Sequence, residues 1–190
     1  MSTSFALPLV VGVLVILIIL VAVWAGLGYN RLVRRSTQVQ ASWAQIDVQL
    51  RRRQSLIPNL VETVKGYAAH ERGTLDAVVA TRANAINANG TARRGQAEGD
   101  LTRALGRLFA VAEAYPDLKA NQNFLALQAE LGETENRIAF ARQFYNSAVQ
   151  SLNTAVRAIP TNIIASMGGF HEEQYFEAAE AERADVQVRF

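Results

Sequence analysis

Hydrophobic and polar positions divide the chain into a few long blocks. Positions 5–30 hold no charged side chain, and positions 9–27 are almost wholly Val, Ile, Leu, Ala and Gly with one Trp. A helix needs about 20 apolar residues to cross the hydrocarbon core of a bilayer, and this run supplies them. A cleaved signal peptide would want a basic stretch ahead of a shorter apolar run. Here the first eight positions carry no Lys or Arg, so the run is read as a retained anchor. Trp24 and Tyr29 fall where an interfacial aromatic belt lies.

The pattern then changes to three-and-four spacing. Leu32, Val39, Trp43, Ile46, Leu50, Ile57, Leu60, Val64 and Tyr67 form one stripe, the coiled-coil-like seam of a helix that packs on partner helices. Arg53 fills the slot skipped between Leu50 and Ile57. Pro58 has no N–H to give to the preceding turn, which predicts a kink or break near positions 56–58, with the helix resuming to about Asn87. Positions 88–99 contain three glycines and no apolar period, the pattern of an exposed loop. Asp100 is placed to cap a helix that carries Leu101, Leu105, Leu108 and Ala112 on one face. Tyr115-Pro116-Asp117 ends that helix, because the residue before proline is pushed from the helical region. Phe124, Leu127, Leu131, Ile138, Ala141, Tyr145, Leu152, Val156 and Ile159 predict one long helix of roughly 60 Å, stopped by Pro160. Positions 161–170 read as a non-periodic apolar loop with a glycine pair, positions 172–184 as a short acidic helix, and 186–190 as an extended tail.

No segment alternates as a half-buried strand. The expected fold is all-α: an N-terminal transmembrane helix followed by an antiparallel bundle of three to four long helices. Its divisions are a short extracytoplasmic N-terminus (1–8), the membrane helix (9–28), a cytoplasmic helical bundle (29–170), and an acidic C-terminal helix and tail (171–190).

Charge adds orientation. Positions 31–53 carry six arginines against Asp47, a balance of 6 − 1 = +5, whereas positions 171–190 carry six acids against two arginines, 2 − 6 = −4. No basic residue precedes the apolar run, and Arg31, Arg34 and Arg35 follow it. By the positive-inside rule the domain lies in the cytoplasm and the N-terminus outside. The same three arginines are read as contacts to anionic lipid headgroups.

Candidate chemistry is sparse. With no cysteine there are no disulfides, thiolate nucleophiles or Cys-ligated zinc. His70-Glu71 lacks the second histidine of a zincin, since position 74 is Thr. The acids near His171 read as a solvated face. There is no phosphate-binding glycine loop and no nucleophile elbow. No catalytic, cofactor-binding or metal-binding residue is assigned, no cofactor is expected, and the chain is not read as an enzyme. Arg51-Arg52-Arg53 lacks the interleaved aromatics of a stacking platform, so nucleic acid is not an expected partner.

Two placements are open to Arg53. Its guanidinium either snorkels to solvent or is buried and paired, with Glu135 as the candidate carboxylate. Two apolar segments are likewise open: Ile57, Pro58 and Asn59, and Ile163, Ile164, Met167 and Phe170. They either fold onto the bundle as a lid or form a partner or self-association surface.

The chain resembles the LemA family of bacterial membrane-anchored helical proteins over nearly its whole length. The likeness rests on Tyr29-Asn30-Arg31-Leu32-Val33, Ala41-Ser42-Trp43-Ala44-Gln45-Ile46-Asp47, Arg53-Gln54-Ser55-Leu56-Ile57-Pro58-Asn59-Leu60, Tyr115-Pro116-Asp117-Leu118, Glu135-Asn136-Arg137-Ile138 and Ala141-Arg142-Gln143-Phe144-Tyr145-Asn146. Asn153, Pro160, Asn162-Ile163-Ile164-Ala165, Gly169-Phe170 and Tyr175-Phe176 extend it. The Pro-containing tail frequent in the family is missing. The resemblance implies one transmembrane segment, a bundle of up to four helices, no assigned enzymatic activity, and a place in a bacterial inner membrane. It also implies relatives in magnetosome membranes and genomic neighbours that are membrane zinc metalloproteases.

The functional expectation is a non-enzymatic membrane-anchored scaffold or adaptor. It oligomerises with itself or binds a membrane partner such as a membrane metalloprotease, in membrane organisation or membrane protein quality control. The alternative is a membrane-shaping polymer acting on anionic lipid. A third class, an unrecognised enzyme or sensor, would require a polar ligand cavity.

Overall fold

A computed structural model of the chain describes residues 3–176, with side chains from residue 9 onward. The described residues form helices joined by short turns, with no strand among them. The elements are α1 (Thr3–Lys65), α2 (Arg72–Asn87), α3 (Thr91–Ala112), a single turn α4 (Pro116–Lys119), α5 (Gln122–Arg157) and α6 (Thr161–Met167). The all-α expectation holds. The chain forms two compact units, one from Met1–Ala41 and Ser147–Glu173, the other from Ser42–Asn146 and Gln174–Phe190. Helices α1 and α5 each contribute to both.

The larger unit has a continuous apolar core. Ile57, Leu60 and Val64 of α1 meet Leu75 and Val78 of α2, Leu101, Leu105 and Leu108 of α3, Leu118 of α4, and Phe124 and Leu131 of α5. These are the stripes set by the three-and-four spacing, since residues at those intervals share one helix face. Ala88, Asn89 and Gly90 turn α2 back onto α3. Gly90 has φ +82°, a backbone region that favours glycine.

Four expectations are corrected. Helix α1 does not break at Pro58 but runs to Lys65, and the interruption falls instead at residues 66–71. The missing N–H of Pro58 leaves the Gln54 carbonyl without its intrahelical donor. Arg82 of α2 fills that gap, its Nε donating to the Gln54 oxygen at 2.7 Å. The expected loop at 88–99 shrinks to three residues; Thr91 already begins α3, and Asp100 lies inside the helix rather than capping it. Gly95 and Gly99, one turn apart, are buried, so these glycines make a thin helix face rather than a loop.

The expected loop at 161–170 contains α6. Gly169, at φ +72°, ends that segment. Finally, residues 171–176, the start of the expected acidic helix, are not helical. Positions 177–184 of that helix, and the tail 186–190, lie outside the described residues.

In the smaller unit, the apolar side chains of α1 from Leu9 to Val23 all face outward. Beyond them Leu32 and Val39 are buried, as are Val149, Leu152 and Ala155 of α5 and Ile164 and Ala165 of α6.

Candidate functional site

Two sites stand out, one in each unit. In the smaller unit the apolar part of α1 is the one helix among the described residues long and apolar enough to cross a membrane. Where it ends, α6 comes close. A Cβ built on Gly28 would stand 2.6 Å from Cδ1 of Ile164, so the packing there uses the absence of a side chain. The ring of Tyr29 meets the ring of Phe170 edge-on, with centroids 5.5 Å apart.

Arg31 and Arg35, one turn apart, border a cavity of about 320 Å³. Trp24 and Leu27 line its apolar side, and Thr154 and Thr161 bring hydroxyls. Arg35 Nη1 donates to the Ser151 carbonyl at 3.1 Å, which ties the side chain to α5. Arg34 is exposed and does not line the cavity. The α5 end also holds the following segment. Asn153 Nδ2 donates to the Glu173 carbonyl and Asn153 Oδ1 accepts from the Glu173 N–H, both at 2.9 Å. Arg157 Nε donates to Glu172 at 2.8 Å, and that hydrogen bond lowers the Glu172 carboxyl from its ordinary value.

In the larger unit Arg53 is buried and paired. Its Nη1 lies 3.4 Å from Glu98 Oε2 and 3.3 Å from Glu135 Oε2. Arg53 and Glu98 are 4% and 6% exposed, whereas Glu135 is 40% exposed. Arg53 Nη2 donates to Thr102 Oγ1 at 2.7 Å, and Gln54 Nε2 donates to Glu98 Oε1 at 2.9 Å. Burial pushes the Glu98 carboxyl above its usual range; Arg53, the Gln54 hydrogen bond and Arg94 pull it back, and Glu135 adds to the rise.

Around this network the walls are Gly95 and Gly99 of α3 with Leu50 and Ile138, leaving a cavity of only about 20 Å³. That is room for about one water, not for a metabolite. Among the described residues no group of three or more acids or histidines is gathered to hold a cation.

Close by, Trp43 packs against Tyr145 and Phe176 with centroids 5.4 and 5.6 Å away. Asn146 Oδ1 accepts from the Phe176 N–H at 2.9 Å and its Nδ2 donates to the Phe176 carbonyl at 3.2 Å. Tyr145 donates to the Gln174 carbonyl at 2.9 Å.

The candidate surface residues divide. Ile57 is wholly buried in the core and Ile164 is buried against Gly28, so neither offers a surface. Pro58, Asn59, Ile163 and Met167 are exposed and Phe170 is half-buried. Arg31, Arg34 and Arg35 are all exposed.

Of the two readings for Arg53 the buried pair is found, and Glu135 is one of its partners. Glu98, Gln54 and Thr102 are not marked by the apolar spacing: Glu98 falls in the glycine-rich stretch 88–99 that reads as a loop, and Gln54 and Thr102 are polar positions off the helix stripes. The Gly95/Gly99 spacing was the available signal. Also missed was an exposed aromatic pair on α5: Phe140, 72% exposed, and Phe144, 49% exposed, one turn apart.

A family model described as the LemA family matches residues 42–190. The chain belongs to the LemA family. Residues 42–190 include the Arg53 network, the aromatic contacts of Trp43 and both asparagines that hold the segment after α6. The protein is similar to Magnetosome protein MamQ 2 of Paramagnetospirillum magneticum (strain ATCC 700264 / AMB-1), 29% identical over 176 residues that cover 78% of this chain and 64% of the relative. Magnetosome protein MamQ of Magnetospirillum gryphiswaldense (strain DSM 6361 / JCM 21280 / NBRC 15271 / MSR-1) is 26% identical over 174 residues, with the same coverage of 78% and 64%. Protein LemA of Metamycoplasma hominis is 26% identical over 158 residues, 83% of this chain and 72% of that protein. The chain thus spans less than two thirds of the length of the magnetosome relatives. With its apolar α1 segment, it is a membrane-associated helical member of the LemA family.

Proposed function

We propose that this LemA-family chain is a non-enzymatic membrane-anchored scaffold that assembles with copies of itself. The anchor spans an inner membrane, with the larger unit on the cytoplasmic side. The observation that carries the proposal is the exposed Phe140 and Phe144 pair on α5. Two neighbouring aromatic rings on the face opposite the buried Ile138 and Tyr145 are costly to leave in water. A second copy of the same helix face would cover them. Confinement to a membrane raises the effective concentration of copies, so a small apolar contact suffices for association. The small cavity at Arg53, with room for about one water, fits a structural network better than a substrate site.

The proposal is tested by placing a photoreactive phenylalanine analogue at position 140 of the full chain in its native membrane. A chain-to-chain adduct is expected. Adducts to lipid alone, or no adduct, contradict it.

A further inference from the structure

The geometry points to the cavity beside Arg31 and Arg35 as a seat for the headgroup of an anionic phospholipid. This deepens the membrane-anchoring proposal and rests on it. Three features of the cavity agree. First, its charge is one-sided: two guanidiniums and no carboxylate line it. Guanidinium groups match phosphate oxygens through paired N–H donors, and Thr154 and Thr161 offer further hydroxyl donors. A zwitterionic headgroup would bring its own cation to a wall already carrying two, whereas an anionic one neutralises them.

Second, the cavity is graded. Trp24 and Leu27 belong to the apolar stretch of α1, Arg31 and Arg35 to the polar stretch that follows. A lipid is the ligand whose own polarity changes in this order. At about 320 Å³ the space lies at the small end of ligand sites. It suits a headgroup whose acyl chains stay in the bilayer along Trp24 and Leu27.

Third, the site is built rather than left open. Arg35 is held by the Ser151 carbonyl, Gly28 lets Ile164 seat against α1, and Ala155 of α5 and Ala158 just after it keep that wall low. Arg34, between the two arginines in sequence, does not line the cavity. This separates a shaped site from a general basic belt, because a belt would use all three alike.

The test uses the full chain in nanodiscs of phosphatidylglycerol or phosphatidylcholine, with retained lipid counted by native mass spectrometry after mild detergent exchange. Wild type is expected to keep phosphatidylglycerol selectively. Replacing Arg31→Gln with Arg35→Gln is expected to weaken retention about tenfold or more, while Arg34→Gln, with the same loss of charge per site, changes it little. Ala158→Phe fills the cavity without altering charge and is expected to abolish selectivity.

Equal effects of Arg31→Gln, Arg34→Gln and Arg35→Gln would overturn the proposal, as would wild-type selectivity in Ala158→Phe. Retention of soluble glycerol phosphate as strong as that of the lipid would overturn the bilayer as its source. Alkaline carbonate extraction separates the two levels. Release of the wild-type chain sinks the anchoring itself, whereas a retained chain without lipid selectivity sinks only the cavity.

Discussion

Arg82 Nε donates to the carbonyl oxygen of Gln54 at 2.7 Å, the acceptor that Pro58 would serve if proline had an N–H. The two helices therefore share one repair: α2 supplies from outside the donor that α1 lacks. Losing Arg82 leaves that carbonyl poorly served, and a half-buried group without its partner costs about 1–3 kcal/mol. Arg82→Ala is expected to destabilise the full chain by that amount in urea unfolding. Pro58→Ala restores an intrahelical donor, so it should recover much of the loss in the Arg82→Ala background and gain far less in wild type. Strict additivity of the two changes would contradict the repair.

The Arg53 and Glu98 pair makes a second stability prediction. Removing one partner of a buried ion pair leaves an uncompensated charge and typically costs about 3–5 kcal/mol. Arg53→Ala is expected to fall in that range, since it leaves the buried Glu98 carboxyl without its guanidinium, and Glu135, a second carboxylate, cannot replace that partner. The joint change Arg53→Met with Glu98→Leu should recover most of the loss, because an apolar pair needs no charge partner in a cavity this small. A double variant as unstable as the sum of the singles would contradict it.

The pH dependence has a definite sign. Glu98 is held above its unfolded carboxylate value, chiefly by burial. In the window between the two values the folded state binds more protons than the unfolded one, so stability falls as pH rises. The contribution is full below the unfolded value and lost once pH has passed the folded one. The stability difference between wild type and Glu98→Gln is therefore expected to decline with rising pH through that window, read from urea midpoints on the same full chain. A difference that grows with pH would mean the carboxylate is stabilised in its charged form.

The segment after α6 is held by backbone contacts to asparagine side chains. Asn153 satisfies both backbone groups of Glu173, and Asn146 both backbone groups of Phe176. Each single Asn→Ala change removes two hydrogen bonds. Faster amide exchange is expected at Glu173 for Asn153→Ala and at Phe176 for Asn146→Ala, with core amides of α3 unchanged. Asn→Asp keeps the acceptor and loses the donor, so it should fall between.

These asparagines also show what the sequence conceals. The helix stripes were legible because apolar spacing reports burial directly: Leu101, Leu105 and Leu108 all face the core as their period requires. Long-range polar repair was not. Nothing near Pro58 announces that Arg82, in another helix, will supply the missing donor. Positions 171–176 are not helical, and the partners of their backbone at Glu173 and Phe176 are asparagine side chains 20 and 30 residues back in the chain.

The Arg53 site was half legible. An arginine on an apolar stripe signals a buried partner, and Glu135 was recognisable as a charged residue on the α5 seam. Glu98 was hidden because glycine content suggests a loop, whereas Gly95 and Gly99 one turn apart instead let α3 present a thin face. The Phe140 and Phe144 pair was obscured for another reason. It lies off the α5 stripe, and apolar periodicity marks the residues that share the buried face, not exposed ones on the opposite side.

The measurement that bears most directly on the scaffold is the copy number of the full chain in its native membrane, read by crosslinking and mass photometry of gently extracted particles. Wild type is expected as particles of several copies, and Phe140→Ser with Phe144→Ser as single copies still anchored in the membrane. Single wild-type copies, alone or around a different membrane protein, or multimers indifferent to the two serines, would contradict assembly through α5.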